Sequence, residues 1–256
     1  MTRDQAHAAS SDRPRLPGHL GLGAAAAVAA AAAIAAIAPA GVAARQQAAP
    51  GRATLTSART PTRERYVSVP IVKQALRNNC ETAALSMLLA ARGVRVPQLE
   101  LQRELPRDGP LDPLTAAGDS LPIWGDPDRG FVGRVRGGGT SGGYGVYPQP
   151  IRALAHRHRV LLTPLTGQPA ATIYRWLRAG RPVMVWVGLS NGPYKTWRTP
   201  LGKRITANFG EHTVVLTGLR GRLLRVNDPL DGQRKLWSRS YFEAIWRRLG
   251  RRALGT

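Results

Sequence analysis

The chain has a single cysteine, Cys80, in 256 residues. No disulfide can form within it, so the fold must rest on a buried apolar core. The odd thiol is left for another chain or for chemistry. Acidic residues are also few, 15 Asp+Glu against 37 Lys+Arg, for a formal net charge of +22. Lysine is scarce in turn: Lys73, Lys195, Lys203 and Lys235 are the whole set, and the basic excess is arginine spread along the chain. Such a surface attracts polyanions at long range. No helix-turn-helix, zinc-finger or RNP-like pattern is present, so specific nucleic-acid binding is not expected. The glycine-rich stretch 130–147 lacks the Gly-Lys-Ser/Thr step of a phosphate-cradling loop, which excludes a P-loop. His156 and His158 stand one residue apart on a helical stretch and point to different sides. No Cys or carboxylate cluster accompanies them, so neither a metal nor another cofactor is expected. There is no internal repeat.

One long stretch without charge is present, residues 20–44, made mostly of alanine and preceded by Arg13 and Arg15. Ala38-Pro39-Ala40 and Val42-Ala43-Ala44 offer small residues near its end. A basic lead, an apolar middle and a small-residue exit form the layout of a secretory signal. The apolar part exceeds a typical signal core, so a single-span anchor is the alternative. Residues 1–44 are read as signal peptide or membrane anchor, 45–65 as a disordered linker, and 66–256 as one folded domain. Both N-terminal readings imply export, to a secreted or membrane-anchored location. The polyanions within reach are then anionic cell-envelope polymers and lipids.

From residue 69 the pattern changes. A short extended segment, 69–72, leads into the polar turn Arg77-Asn78-Asn79 and then a helix closed by Gly93. Glycine is expected just past a helix end, where φ turns positive. Asn78, with Glu81 three residues on, reads as a capping box. Ala83, Ala84, Met87, Leu88 and Ala91 mark an apolar face at helical spacing. Cys80 thus falls in the first turn, where free backbone N–H groups and the helix dipole favour a thiolate. Its pKa is expected below that of a free cysteine. A small core cysteine is the plain alternative.

Helices are further expected over 98–105, 150–159, Pro169 to Gly180, and 241–249. Strands are expected over 160–162, 182–189, 212–219, 222–227 and 233–237. The run 182–189 is apolar throughout and reads as a central strand. Residues 191–200 read as a polar loop. The stretch 130–147 reads as a mobile surface loop or, alternatively, the wall of a cleft. Helices first and an antiparallel meander second give an α+β class.

A cysteine nucleophile needs a base, a group that orients the base, and donors for the oxyanion. His212 opens one strand and Asp228 closes the next, so pairing through a turn at Gly221 brings these outer ends face to face. Gln74, shortly before Cys80, could turn its amide into the oxyanion site. Together, the stretch from Gln74 through Cys80-Glu-Thr-Ala-Ala-Leu-Ser-Met-Leu-Leu, His212-Thr-Val-Val-Leu-Thr-Gly, and Asp228-Pro229 resemble the papain-like cysteine peptidases related to those that remove double-glycine leaders from bacteriocin precursors. Gly-Asp-Pro at 125–127 and Gly-Tyr-Gly-Val-Tyr at 143–147 resemble the stand-alone, exported branch. The resemblance implies a papain-like fold, with the cysteine on a helical side and His and Asp on an antiparallel sheet. It implies hydrolysis of peptide bonds in a peptide or protein substrate. The implied roles are Cys80 nucleophile, His212 base, Asp228 orienting partner and Gln74 oxyanion donor. Two features depart from the leader peptidases: those are usually fused to a transporter with an ATP-binding domain, whereas this sequence shows no P-loop and at most one membrane span, and Glu81 stands where glycine usually follows the cysteine. A peptidoglycan-peptide hydrolase of NlpC-like type is the alternative with the same chemistry. A catalytically silent envelope-binding module is the alternative from another class.

Overall fold

The run 182–189 lacks the polar alternation of a half-exposed strand because both its faces are covered. In β5 (Val183–Gly188), Val183, Val185 and Val187 join one apolar core, while Met184 and Trp186 join a second. The same alternation holds in β8 (Glu211–Arg220), with Val214 and Leu216 in the first core and Val215 in the second. Side chains two apart share a face, so one sheet divides two cores.

The computed structural model describes residues 64–115, 118, 121–137 and 142–256. The readings of 1–44 and 45–63 lie outside them. Among the described residues no helix is long and apolar enough to cross a membrane. The main sheet runs β10 (Gln233–Ser238), β9 (Leu223–Asp228), β8, β5, β11 (Ala253–Gly255), β4 (Thr163–Pro164), antiparallel throughout. The short β1 (Arg65–Tyr66) pairs with the far end of β8, so ordered backbone begins within the expected linker. One core holds α1 (Cys80–Ala90), α2 (Gln98–Glu104) and α3 (Pro148–Arg157). The other holds α4 (Ala170–Arg178) and α5 (Arg239–Arg247). The class is α+β.

Several local expectations meet a different outcome. Helix α1 has no capping box. Its N-cap is Asn79, and no side chain caps it. The Asn78 amide instead donates to Arg134 O and Gly137 O, and Glu81 turns away into the interior. Nor is α1 one-sided: every residue from Cys80 to Leu89 is buried, because α1 packs on the sheet with α2 and α3 around it. Its end follows expectation. Gly93 has φ +79°, and Val94 N–H reaches back to Leu89 O, a Schellman closure. Residues 191–200 are not simply loop: β6 (Tyr194–Arg198) pairs with β7 (Arg204–Asn208), and the apolar side of that hairpin, Trp197 with Ile205 and Ala207, is buried. The expected strand at 160–162 is replaced by β4 just after it. The described parts of the stretch, 130–137 and 142–147, form a wall. Phe131, Val132, Tyr144, Val146 and Tyr147 are buried in it, and β2 (Val132–Gly133) pairs with β3 (Gly143–Gly145).

Candidate active site

Two long-range hydrogen bonds seat the start of α1. Glu81 Oε1 accepts from Val146 N–H at 2.7 Å, and the carbonyl of the same Val146 accepts from Trp186 Nε1 at 2.8 Å. The Val146 backbone therefore ties the first turn of α1 to the central strand. Gly145 is required there: it has φ +124°, and a Cβ would run into Glu81 Oε1. Asn79 holds the preceding turn, its Oδ1 accepting from Leu76 N–H at 2.8 Å and its amide donating to Gln98 Oε1 at 2.8 Å.

On the other side, β8 and β9 turn through Gly221, whose φ is +59°. At their outer ends His212 Nε2 lies 2.6 Å from Asp228 Oδ1, with both side chains buried. Asp228 Oδ2 takes an ion pair from Lys235 Nζ at 2.7 Å, and Lys235 also reaches Asp231 at 2.7 Å. Burial opposes the charge on Asp228. The hydrogen bond and charge of His212, the Lys235 ammonium and Leu230 N–H outweigh it and hold the carboxyl well below the usual carboxylate range. Asp228 is therefore an acceptor, so Nε2 carries the imidazole proton. That leaves Nδ1 as the ring nitrogen open to take another.

Between these halves is a cavity of about 210 Å³. Cys80 and His212 both line it, with Gln74, Glu81, Tyr144, Phe209 and Glu211 among the rest. Tyr144 and Phe209 pack with ring centroids 5.4 Å apart, and Trp197 stands behind Tyr144 at 5.6 Å. The glycine-rich stretch and the β6–β7 hairpin thus build the apolar wall.

The structure brings His212 and Asp228 into contact and sets Cys80 on the same cavity. It does not join Cys80 to His212: among the described residues no hydrogen bond links them. The thiol is turned to two carboxyls instead, with Sγ 3.4 Å from Glu81 Oε2 and 4.0 Å from Glu211 Oε2. This overturns the expected low thiol pKa. Burial pushes the Cys80 thiol well up, and the charges of Glu211 and Glu81 act in the same direction. Only the Thr213 backbone N–H, next to His212, pulls the other way. The helix N-terminus is outweighed by the loss of solvent. Gln74 lines the cavity, but both N–H groups of its amide are engaged by its own turn. They donate to Leu76 O and Arg77 O at 2.9 Å each, leaving Oε1 buried without a partner.

Glu81, Glu211 and Lys235 are the residues that sequence reasoning did not place in the site. Lys235 had a faint signal, since Asp231 and Lys235 are an i,i+4 pair after Asp228. Glu81 had one in standing where glycine usually follows the cysteine, and Glu211 had none, because a charged residue beside an apolar run ordinarily faces solvent. The thiol and these two carboxyls converge within 4.8 Å of one another. Burial raises the proton affinity of both carboxyls, so the group reads as an acid cluster and no metal is assigned to it.

Residues 66–254 match the Peptidase_C39 like family. The chain belongs to that family. It is 33% identical over 183 residues to the uncharacterized protein YvpB of Bacillus subtilis (strain 168), spanning 70% of this chain and 69% of YvpB. Its structure is similar to a crystal structure from Bacillus anthracis assigned as a C39-like peptidase, with a TM-score of 0.64 and 28% identity, covering 75% of this chain and 96% of that one. It is also similar, at a TM-score of 0.42 and 16% identity, to a double glycine motif protease from an AMS/PCAT transporter solved in complex with the leader peptide, covering 74% and 91%. The fold of this C39-like chain is papain-like: a helical side carries the cysteine, and an antiparallel sheet carries His212 and Asp228.

Proposed function

We propose that this C39-like chain is an exported cysteine peptidase with Cys80 as nucleophile. The observation that carries the reading is the buried 2.6 Å contact between His212 and Asp228, opening on the cavity that Cys80 lines. Nδ1 of His212 takes the thiol proton as Sγ bonds to the substrate carbonyl carbon. Asp228 stabilises the imidazolium. The oxyanion is met by the Cys80 backbone N–H and by Gln74, once its amide exchanges a turn carbonyl for the substrate oxygen. The imidazolium returns the proton to the leaving amine. Water then hydrolyses the thioester with His212 again as base. The substrate is a peptide or protein. The arginine-rich surface suits a place among anionic envelope polymers and lipids.

The test is hydrolysis by the full-length protein of a peptide library, with purified cell wall beside it. Wild type is expected to cleave peptides, and Cys80→Ala and His212→Ala to lose at least about a thousandfold in turnover. Cleavage retained in either variant would refute the assignment. Cell wall as the better substrate would favour the NlpC-like alternative. The absence of a Cys80–His212 hydrogen bond among the described residues favours the silent envelope-binding module as second reading. Envelope binding with no hydrolysis would establish it.

Export rests on the charge-free run 20–44 behind Arg13 and Arg15. A reporter fused after residue 65 is expected to be active only outside the cytoplasm; activity in the cytoplasm would remove the reading.

A further inference from the structure

The two carboxyls beside the thiol have no part in the mechanism above, yet the sulfur is turned to both of them. Each is held by one oxygen and aimed by the other. Glu81 Oε1 is fixed by Val146 N–H, and its Oε2 faces the sulfur. Glu211 Oε1 accepts from Thr213 Oγ1 at 3.0 Å, and its Oε2 faces the sulfur. Neither forms a salt bridge among the described residues. The other titratable or charged groups facing them are few. His212 stands next to Glu211 on β8. Tyr144 and Tyr147 come from the glycine-rich wall, bonded to each other at 2.7 Å. Arg252 comes from the C-terminal segment, where its guanidinium lies 3.5 Å over the Tyr147 ring and its charge only partly offsets the burial of Glu211.

Resting on the reading of Cys80 as nucleophile, we propose that Glu81 and Glu211 are positioning residues that govern it: an ionised carboxylate in this pair holds Cys80 as a neutral thiol turned from His212, and protonation of both carboxyls releases it. Two effects act together. An ionised carboxylate accepts the S–H, which favours the thiol, and at this separation it repels a thiolate. Once both carboxyls carry protons from solvent, the S–H proton moves to Nδ1 of His212 and the thiolate–imidazolium pair forms. Nothing is oxidised or reduced. Burial raises the proton affinity of both carboxyls, and the charge of Glu81 raises that of Glu211 further, which carries the switch up from the ordinary carboxylate range toward neutrality. Reactivity of the thiol is therefore greatest on the acid side.

The experiment is iodoacetamide labelling of the native full-length protein across pH. The single cysteine makes Cys80 the only thiol, and the label is assigned to it by peptide mapping. Compared are wild type, the double variant Glu81→Gln/Glu211→Gln, the two single Gln variants, and Glu211→Asp as the charge-keeping variant, each checked by near-UV circular dichroism. At about pH 7.5, where Glu81 still ionises in Glu211→Gln, the double variant is expected to label at least about tenfold faster than wild type, the effect of one pKa unit. At about pH 5, where wild type is itself protonated at the pair, the two rates should converge, and Glu211→Asp should stay near wild type throughout. A ratio within about twofold at neutral pH, or constant across pH, would overturn the proposal, the constant ratio marking a merely structural effect. Glu81→Gln keeps an amide oxygen for Val146 N–H; if the double variant nevertheless fails to fold, wild type decides, since a labelling rate that falls from about pH 7.5 to about pH 5, as for an ordinary thiol, overturns the proposal. Labelling does not require turnover. A pH-dependent gain in the double variant with no peptide cleaved by wild type would sustain this inference and reject the peptidase. Cleavage abolished in Cys80→Ala with identical labelling profiles would do the reverse.

Discussion

Asp228→Asn is expected to yield a folded protein that turns substrate over about 10⁴-fold more slowly, the size this change has in a Ser-His-Asp triad. The amide has nearly the length of the carboxylate, so contact with His212 Nε2 can persist. Two things are lost. An amide cannot stabilise the imidazolium. It can also present its NH₂ to Nε2, which forces the ring proton onto Nδ1, the nitrogen that must be free for the thiol. Lys235 keeps Asp231 as a partner at 2.7 Å, so the cation is not stranded. The Leu230 N–H, now 2.9 Å from the same Oδ1 that meets Nε2, keeps an acceptor only when the amide oxygen takes that position. Stability should fall as well, with a defined pH dependence. The folded-state pKa of Asp228 lies below its unfolded value. Its contribution is thus present above the ordinary carboxylate pKa and lost as pH falls through the folded value. The gap in urea midpoint between wild type and variant should be widest at neutral pH and close in acid. Turnover within about threefold of wild type, against the orders of magnitude expected, would remove Asp228 from the triad.

Trp186→Ala should cost about 3–5 kcal/mol of stability, a large share of the roughly 5–15 kcal/mol that holds a domain together. The side chain is wholly buried on the central strand. Its removal opens a cavity in the core under α1 and leaves the Val146 carbonyl without its donor. The loss is directed: Val146 also holds Glu81, so the first turn of α1 and the thiol should loosen before the distant α4–α5 side does. Trp186→Phe keeps most of the volume and removes only the donor, so it should cost about 1–3 kcal/mol. Denaturant midpoints for both variants give the comparison. Equal losses would mean that the missing donor, and not the cavity, carries the whole effect; no loss in Trp186→Phe would mean that the indole N–H contributes nothing.

The parts of this protein legible in its sequence are those whose causes lie within a few residues. Gly93, Gly180 and Gly221 mark turns that only a positive φ allows, and all three have one: +79°, +72° and +59°. The run 182–189 could be read as central because a strand covered on both faces has no polar alternation to show. Helix α5 is capped by Ser238, which accepts from Tyr241 N–H three residues on. His212 and Asp228 could be placed opposite each other because one short turn joins their strands. The acidic pair was hidden for the opposite reason. Glu81 read as a helix cap because its local spacing fits one, but its acceptor role is taken by Val146 N–H, 65 residues away. The glycine-rich stretch read as a loop because its glycines permit any path; the aromatic neighbours that make it a wall are Phe209 and Trp197 on another element. The state of Cys80 turned on the same distinction. Its position at a helix start is a local property, and by itself it favours a thiolate. Burial, with two carboxyls drawn in from α1 and β8, is a property of the assembled fold alone, and at these distances it outweighs the helix and returns the proton to the sulfur.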